Sequence, residues 1–208
     1  MKPIACFATV CCLAALPGLA QPHFTGYAGG GFSEPVKDIG SRLDMGWNVS
    51  AGAGATYHQV GLMVDFMFND FPINRATLNN QQVPDGTTRV WAFTLDPVFH
   101  VRPVDSPVDA YVTGGGGIYH RTIEFTQPAL ATVPVFDPFF GIIYPANIVT
   151  NQVIASRSNY KGGVDVGAGV AFKIGPGGLK LFAEARYHHM FTRPTPTTLV
   201  PVTFGIRW

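Results

Sequence analysis

The sequence is poor in cysteine, and its three cysteines all lie within the first twelve residues. Residues 1–20 have the pattern of a secretory signal peptide. Lys2 precedes an apolar run, and the small residues Gly18 and Ala20 stand where a signal peptidase would cut before Gln21. The mature chain is therefore expected to contain no thiol. That excludes a disulfide framework, a thiolate metal site and a cysteine nucleophile.

Charge and long apolar runs are also scarce. Charged residues make up 13% of the chain, about half of the usual share. Lys2 is lost with the signal, so 13 basic residues balance 13 acidic ones, and no nucleic-acid partner is expected. After residue 20 no run of about eighteen apolar residues occurs, so no membrane-spanning helix is predicted. Because the chain is nevertheless 47% hydrophobic, it fits a buried all-β protein or a transmembrane β-barrel.

What the sequence has in abundance is alternation with a period of two, which indicates β-strands with one apolar face. From position 60 to 69 the apolar side would hold Val60, Leu62, Val64, Phe66 and Phe68. Eight such segments occur, at residues 23–33, 46–55, 60–69, 89–101, 109–123, 160–174, 179–191 and 199–208. Because of the glycine run Gly114–Gly117, the sequence does not determine which face of the fifth segment points inward. If Tyr111 and Tyr119 point outward, they would place one aromatic at each membrane interface.

The connections between these segments alternate between long loops and tight turns. An even number of strands, with short turns at one rim and long loops at the other, is typical of bacterial outer-membrane barrels. A soluble eight-stranded barrel of the lipocalin type is the alternative, but it gives no reason for one-sided loop length. The second face of the segments is mostly small, which suits the narrow lumen of an eight-stranded barrel. The pattern therefore favours a membrane barrel.

The final segment, Leu199 to Trp208, supports this interpretation. It is apolar on one face, ends on an aromatic residue, and resembles the closing strand of bacterial outer-membrane barrels. In that family the terminal aromatic belongs to the signal that the insertion machinery reads, which implies this role for Phe204, Ile206 and Trp208.

The whole mature chain, residues 21–208, is similar to the small eight-stranded outer-membrane proteins of the A, X and W kind. The resemblance implies an all-β fold, namely an eight-stranded antiparallel up-and-down transmembrane β-barrel that forms a single domain. It also implies secretion to the periplasm, location in the bacterial outer membrane, and contact with outer-membrane lipid and the barrel insertion machinery.

Charged residues on the inward faces are the candidate site: Asp65, Asp96, Asp165, Glu184, Arg186 and Arg207. If the turn at residues 175–178 is the centre of a hairpin, Asp165 pairs with Arg186. The loop at residues 193–197 places Arg207 near Glu184. We expect these residues to form a plug of ion pairs, because unpaired buried charges are costly. The alternative is a selectivity or gating network in an open channel.

No motif points to catalysis. His188 and His189 are adjacent, so on a strand they face opposite sides and cannot chelate one metal together. The His-x-Ser pair of lipid A deacylase barrels, a related architecture, is missing, because Met190 and Phe191 stand where the serine would be. We therefore expect no enzyme activity, no metal and no cofactor.

The longest connection, residues 124–159, is unusually apolar for a surface loop. It is expected to form an extra hairpin or to fold over the barrel mouth. The alternative is an apolar site for a small hydrophobic solute, made by Phe136, Phe139, Phe140, Ile142, Ile143 and Tyr144. The predicted role is accordingly structural, or surface interaction through extracellular loops. Passive transport or binding of a small, apolar solute is the alternative.

Overall fold

A computed structural model describes residues 22–102, 106–175, 178–193 and 195–208. The predicted signal peptide, residues 1–20, lies outside the described residues. The strands within them are β1 His23–Val36, β2 Gly46–Tyr57, β3 Val60–Pro72, β4 Asp85–His100, β5 Val108–Asp137, β6 Ile142–Lys173, β7 Lys180–Met190 and β8 Thr197–Arg207. A 3₁₀ turn, Lys37–Ile39, follows β1, and the helix α1, Arg75–Gln81, follows β3. Neither is long and apolar enough to cross a membrane, nor is any other helix in the described ranges.

The eight strands form a closed barrel. Each strand pairs antiparallel with the next along the chain, and β1 pairs antiparallel with β8 to close the ring. At the closure, Gly26 and Trp208 exchange two backbone hydrogen bonds of 2.9 and 3.0 Å. The predicted eight-stranded up-and-down barrel is therefore confirmed. We call the rim with the β2–β3, β4–β5 and β6–β7 connections the turn end, and the opposite rim the loop end.

The barrel wall is apolar outside and polar inside. On β3, Val60 and Val64 are more than half exposed, whereas Asp65 is 3% exposed and Asn69 is fully buried. The same alternation runs along β4, where Phe93 and Leu95 face out and Asp96 faces in. This is the reverse of the distribution in a soluble barrel, whose apolar side chains fill the interior.

The fifth strand differs from the prediction at its tyrosines. Tyr111 and Tyr119 do not face outward; both side chains are buried in the lumen. The outward positions of β5 belong instead to Val112 and Ile118, which are half or more exposed. Inward placement is favoured because each phenol group finds a hydrogen-bond partner inside the barrel, as described below.

Of the two arrangements expected for residues 124–159, the structure shows the extra hairpin, although its strands continue those of the barrel wall. There β5 continues to Asp137 and β6 begins at Ile142, so the two strands form a long hairpin that turns at residues 138–141. The prolines of this segment fit the hairpin, because Pro134 lies opposite Pro145 beyond the reach of β4 and β7. There each strand has a free edge, and a proline on a free edge need not break a ladder hydrogen bond.

The β1–β2 and β3–β4 connections fold over part of the loop end. Ile39 from the 3₁₀ turn, Leu43, and Leu78 from α1 join a buried apolar cluster with Phe71 and Val90 of the barrel. Asn74 caps α1 by accepting a hydrogen bond of 2.7 Å from the backbone N–H of Ala76. The backbone around residue 74 is also tied to the first loop by a hydrogen bond to the Arg42 carbonyl. These contacts fix both connections above the lumen.

Candidate functional site

Arg186 lies at the centre of the lumen and is surrounded by four carboxylates. Its Nη1 is 2.8 Å from Asp65 Oδ2, 2.6 Å from Asp96 Oδ2 and 3.6 Å from Asp165 Oδ2, and its Nε donates to Glu184 Oε1. The acids come from β3, β4, β6 and β7, so that one guanidinium links four strands. All five side chains are more than 90% buried. Burying charges this deeply is costly, and the shared arginine offsets part of that cost.

A second arginine lies closer to the turn end. Arg207 Nη2 is 4.0 Å from Glu184 Oε2. Its guanidinium lies 4.2 Å from the ring centroid of Tyr111 and within 6 Å of the rings of Tyr27 and Phe182. Aromatic faces stabilise a desolvated guanidinium. Together the two arginines face four acids, and phenol rings fill the space between them.

The six sequence-predicted lumen residues are thus brought together, but in a different register. Asp165 lies opposite His188 rather than Arg186, and Arg186 lies opposite Gly167. The predicted register is displaced by two residues, because the observed pairs, such as Lys173 with Lys180, are symmetric about residues 175–178, whereas pairing Asp165 with Arg186 places the centre of the hairpin one residue too early. Arg186 still reaches Asp165 diagonally, since its long side chain can span positions two residues apart on neighbouring strands. Arg207 lies opposite Lys180, four residues from Glu184 along β7, and its Nη2 comes within 4.0 Å of Glu184 Oε2.

Three tyrosines and a histidine complete the network, and the sequence interpretation did not include them. Tyr111 donates to Glu184 Oε2 at 2.8 Å, and the Tyr119 hydroxyl lies 2.8 Å from His188 Nδ1. Tyr27 packs edge-on against Phe182, with ring centroids 5.3 Å apart. The signal available in the sequence was that these residues alternate in step with the inward-facing residues of their strands. On β1 and β5 this alternation was masked, because glycines occupy both faces.

Glycines opposite the rings give them room. A Cβ at Gly169 would lie 2.5 Å from the Tyr111 ring, and one at Gly163 would lie 2.7 Å from the Tyr119 ring. A Cβ at Gly52 would meet both Tyr27 and Asp65. These close approaches require glycine, so the small inward residues and the inward tyrosines form one complementary packing arrangement.

Polar contacts continue towards both ends of the lumen. At the turn end, His100 Nδ1 lies 2.7 Å from Asp109 Oδ2, and Lys180 Nζ lies 3.9 Å from the same oxygen. Towards the loop end, Thr203 donates to Asn48 Oδ1 at 2.9 Å, and Ser33 donates to Asn69. Hydrogen-bonded and ion-paired side chains therefore lie towards both ends of the lumen as well as at its centre. Among the described residues, no group of three or more His, Asp or Glu side chains is arranged to hold a metal ion.

The other sequence-predicted residues lie outside the lumen. Those proposed as an apolar solute site are at the tip of the β5–β6 hairpin, and all six are exposed, with Phe139 the most exposed at 87%. Phe204, Ile206 and Trp208 lie on the outer face of β8 and just beyond it. Of the adjacent histidines, His188 is buried inside and His189 is half-buried on the outer face.

The comparison with known proteins bears on the fold. No protein-family model and no curated protein matches the chain. The structure is similar to Neisserial surface protein A, with a TM-score of 0.55 and 14% identity over 88% of this chain and 95% of that one. It is also similar to a major outer membrane protein of Thermus thermophilus, with a TM-score of 0.60 and 12% identity over 90% of this chain and 99% of that one. The chain thus has the fold of small outer-membrane β-barrels.

Proposed function

We propose that this protein is an integral barrel of the bacterial outer membrane, with a structural or surface-interaction role at its loop end. The observation that carries the proposal is the inverted wall, in which exposed valine and phenylalanine side chains surround a lumen of charged groups. Such a wall is stable where lipid rather than water covers it. Outer-membrane lipid and the barrel insertion machinery are accordingly its proposed partners, and no catalytic activity is part of the proposal.

The β5–β6 hairpin supports a role at the cell surface. The hairpin leaves the barrel wall after Thr126, the last residue of β5 that pairs with β4. Residues 127–137 of β5 therefore project beyond the wall. Eleven strand residues, at roughly 3.3 Å each, extend the hairpin by about 36 Å. Phe139 and Phe140 at its tip are exposed and pack only edge-on against each other, with centroids 5.2 Å apart. A projecting hairpin with an exposed apolar tip is suited to contact another surface.

Surface display is tested by a peptide tag inserted at Gly141, which lies at the hairpin turn with a φ of +64° and open space around it. We expect an antibody against the tag to stain intact cells. A matched tag in the β2–β3 turn, after His58, should be detected only when the outer membrane has been permeabilised. Staining of the Gly141 tag that also requires permeabilisation would contradict the proposed orientation.

We propose further that the lumen is closed by its side chains. Eight strands leave an interior about wide enough for side chains alone, and the Arg186 network occupies its centre. Protein reconstituted into planar bilayers is expected to give no steady ion conductance. A stable, ohmic conductance that disappears when Arg186 is substituted would instead support the selectivity network.

The exposed apolar tip also favours a second candidate, uptake or binding of a small hydrophobic solute. Its test is solute uptake into liposomes by the whole chain and by a variant in which residues 127–152 are replaced with a short turn. Uptake that the whole chain supports and the shortened chain does not would favour this function. Equal rates for both proteins and for empty liposomes would remove it.

The closing strand is proposed to carry the insertion signal. Phe204, Ile206 and Trp208 lie on the lipid-facing side of β8, and Trp208 packs across the closure onto β1, where a Cβ at Gly26 would lie 3.0 Å from its ring. The same residues thus contribute to the seam that completes the barrel. Insertion machinery that closes this seam would contact them directly.

A further inference from the structure

Four arginines surround a cavity of about 440 Å³ at the loop end of the lumen. Arg42 comes from the β1–β2 loop, Arg121 from β5, Arg157 from β6 and Arg193 from the β7–β8 loop. Arg121 and Arg157 share the inward face of the hairpin base, because Arg121 lies opposite Asn159 and Arg157 lies opposite the inward Ile123. Two connections and two strands therefore direct positive charge to one place.

Nothing in the described part of the chain neutralises this charge. The cavity is lined there by no acidic residue, and no described carboxylate forms an ion pair with any of the four arginines. Arg121 is half-buried, donates to the neutral Thr197 Oγ1 at 2.7 Å, and is acted on unfavourably by the charges of Arg157 and Arg42. The contrast with Arg186, which shares four acids, is marked.

An uncompensated cluster in a concave site attracts anions, because low-dielectric walls concentrate its field. Guanidinium groups match the geometry of phosphate, sulfate and carboxylate oxygens, to which they can donate two parallel hydrogen bonds. The wall next to the arginines is apolar and includes Ile123 and Phe125. A bound anion would therefore have an apolar portion beside its charged group.

We infer that this cavity binds a soluble organic anion that carries a phosphate or sulfate monoester next to a small apolar group. Its volume lies within the range of small-molecule sites, and its lining combines a few charged donors with apolar side chains. Because Arg121, Ile123 and Phe125 face into the lumen rather than towards lipid, a ligand would enter the cavity from the water at the loop end. The inference goes beyond the proposed surface role and does not depend on it.

Isothermal titration calorimetry on the folded whole chain in zwitterionic nanodiscs tests the inference with three probes. These are 1-naphthyl phosphate, 1-naphthol and inorganic phosphate, which separate the combined group from its apolar and anionic parts. We expect 1-naphthyl phosphate to bind at least about tenfold more tightly than either part, since one charged hydrogen-bonding contact accounts for such a factor. The inference would be overturned if 1-naphthol bound as tightly as 1-naphthyl phosphate, or if 1-naphthyl phosphate did not bind.

Arg157→Gln is the decisive variant, because this side chain is exposed and its loss should not affect folding. Its affinity for 1-naphthyl phosphate should fall at least about tenfold. Arg102→Gln, which removes the same charge from the turn end, should change the affinity less than about twofold. An equal loss of affinity in both variants would mean that the overall charge of the protein attracts the ligand, and it would overturn the inference of a specific binding site.

A lipid headgroup offers the same phosphate chemistry, and competition distinguishes the two sources. Nanodiscs doped with phosphatidic acid should bind 1-naphthyl phosphate as tightly as undoped ones, because the ligand enters from water. Weaker binding in doped discs would assign the site to a lipid and overturn the inference as stated.

Discussion

Arg186 Nη1 lies 2.6 Å from Asp96 Oδ2, although the two residues belong to β7 and β4 and two further strands separate these in the barrel wall. The ion pair therefore crosses the lumen. Asp65 of β3 and Asp165 of β6 contact the same guanidinium nitrogen, so that the network joins opposite sides of the wall. Charge pairing thus joins the strands at the centre of the lumen, beside buried apolar residues such as Met63, Val98 and Phe182.

Removal of this arginine should be strongly destabilising. Arg186→Met leaves four buried carboxylates without their shared cation, and loss of one partner of a buried pair typically costs about 3–5 kcal/mol. Urea unfolding of the folded barrel measures the change, with Arg102→Met, an exposed arginine at the turn end, as the control. Acidification should reduce the difference in unfolding free energy between the two variants, because protonated carboxyl groups no longer repel one another. Equal unfolding midpoints for the two variants would contradict the central role of Arg186.

The outward face of β6 tests the contact with lipid. Ala168 is exposed on the outer face and lies opposite Val112 and Ala185, in the middle of the wall. Ala168→Arg should lower the free energy of unfolding in lipid by about 2–4 kcal/mol if it lies near the bilayer midplane. Thr150→Arg on the projecting hairpin should change it by less than about 0.5 kcal/mol. Similar small effects at both positions would argue against a lipid-facing wall.

Two neighbouring glycines test the packing of the lumen. A Cβ at Gly163 would lie 2.7 Å from both the Tyr119 ring and the His189 carbonyl oxygen, whereas the nearest atom to a Cβ at Gly162 is 4.0 Å away. Gly163→Ala should therefore destabilise the barrel by about 1–3 kcal/mol through overpacking. Gly162→Ala should be neutral or slightly stabilising, because alanine loses less backbone entropy than glycine. Thermal unfolding of the two variants in one detergent gives the comparison, and the reverse order would refute it.

The terminal aromatic provides a test of assembly. Trp208→Ala should lower the amount of protein assembled in the outer membrane, because the residue belongs to the proposed insertion signal. Trp47→Ala removes an equally exposed outward tryptophan from β2 and should have less effect. The measurement is the folded fraction in membranes at equal expression. A smaller loss for Trp208→Ala than for Trp47→Ala would contradict the proposed signal.

The number of strands and the inward and outward faces of most strands could be predicted from the sequence. In a barrel wall, successive residues of a strand point alternately into the lumen and away from it, so a pattern of period two shows directly which residues share a face. On β3 and β4 the alternation is unbroken, and the charges Asp65 and Asp96 stand out against it. The set of charges in the lumen could be predicted for the same reason. Their pairing could be predicted only in outline, because an arginine side chain tolerates a register difference of two residues.

Three features could not be predicted in full, and the first two have a local cause. Glycine carries no side chain to mark a face, so the run Gly114–Gly117 hid the inward direction of Tyr111 and Tyr119. An extra hairpin was one expectation for residues 124–159, but the continuation of β5 and β6 into it was hidden, because prolines usually exclude a strand. Here the prolines lie where the strands have free edges, as at Pro134 and Pro145. The arginine cavity could not be predicted either, since Arg42, Arg121, Arg157 and Arg193 come together only when the connections fold over the mouth.

Gel mobility of the membrane-fractionated protein tests the central claim, an intact barrel in the outer membrane, most directly. The unboiled protein from the outer-membrane fraction should migrate differently from the boiled protein, because a closed hydrogen-bonded barrel resists detergent until it is heated. The result that would contradict the account is the absence of any heat-dependent shift, with the protein recovered from the soluble periplasm.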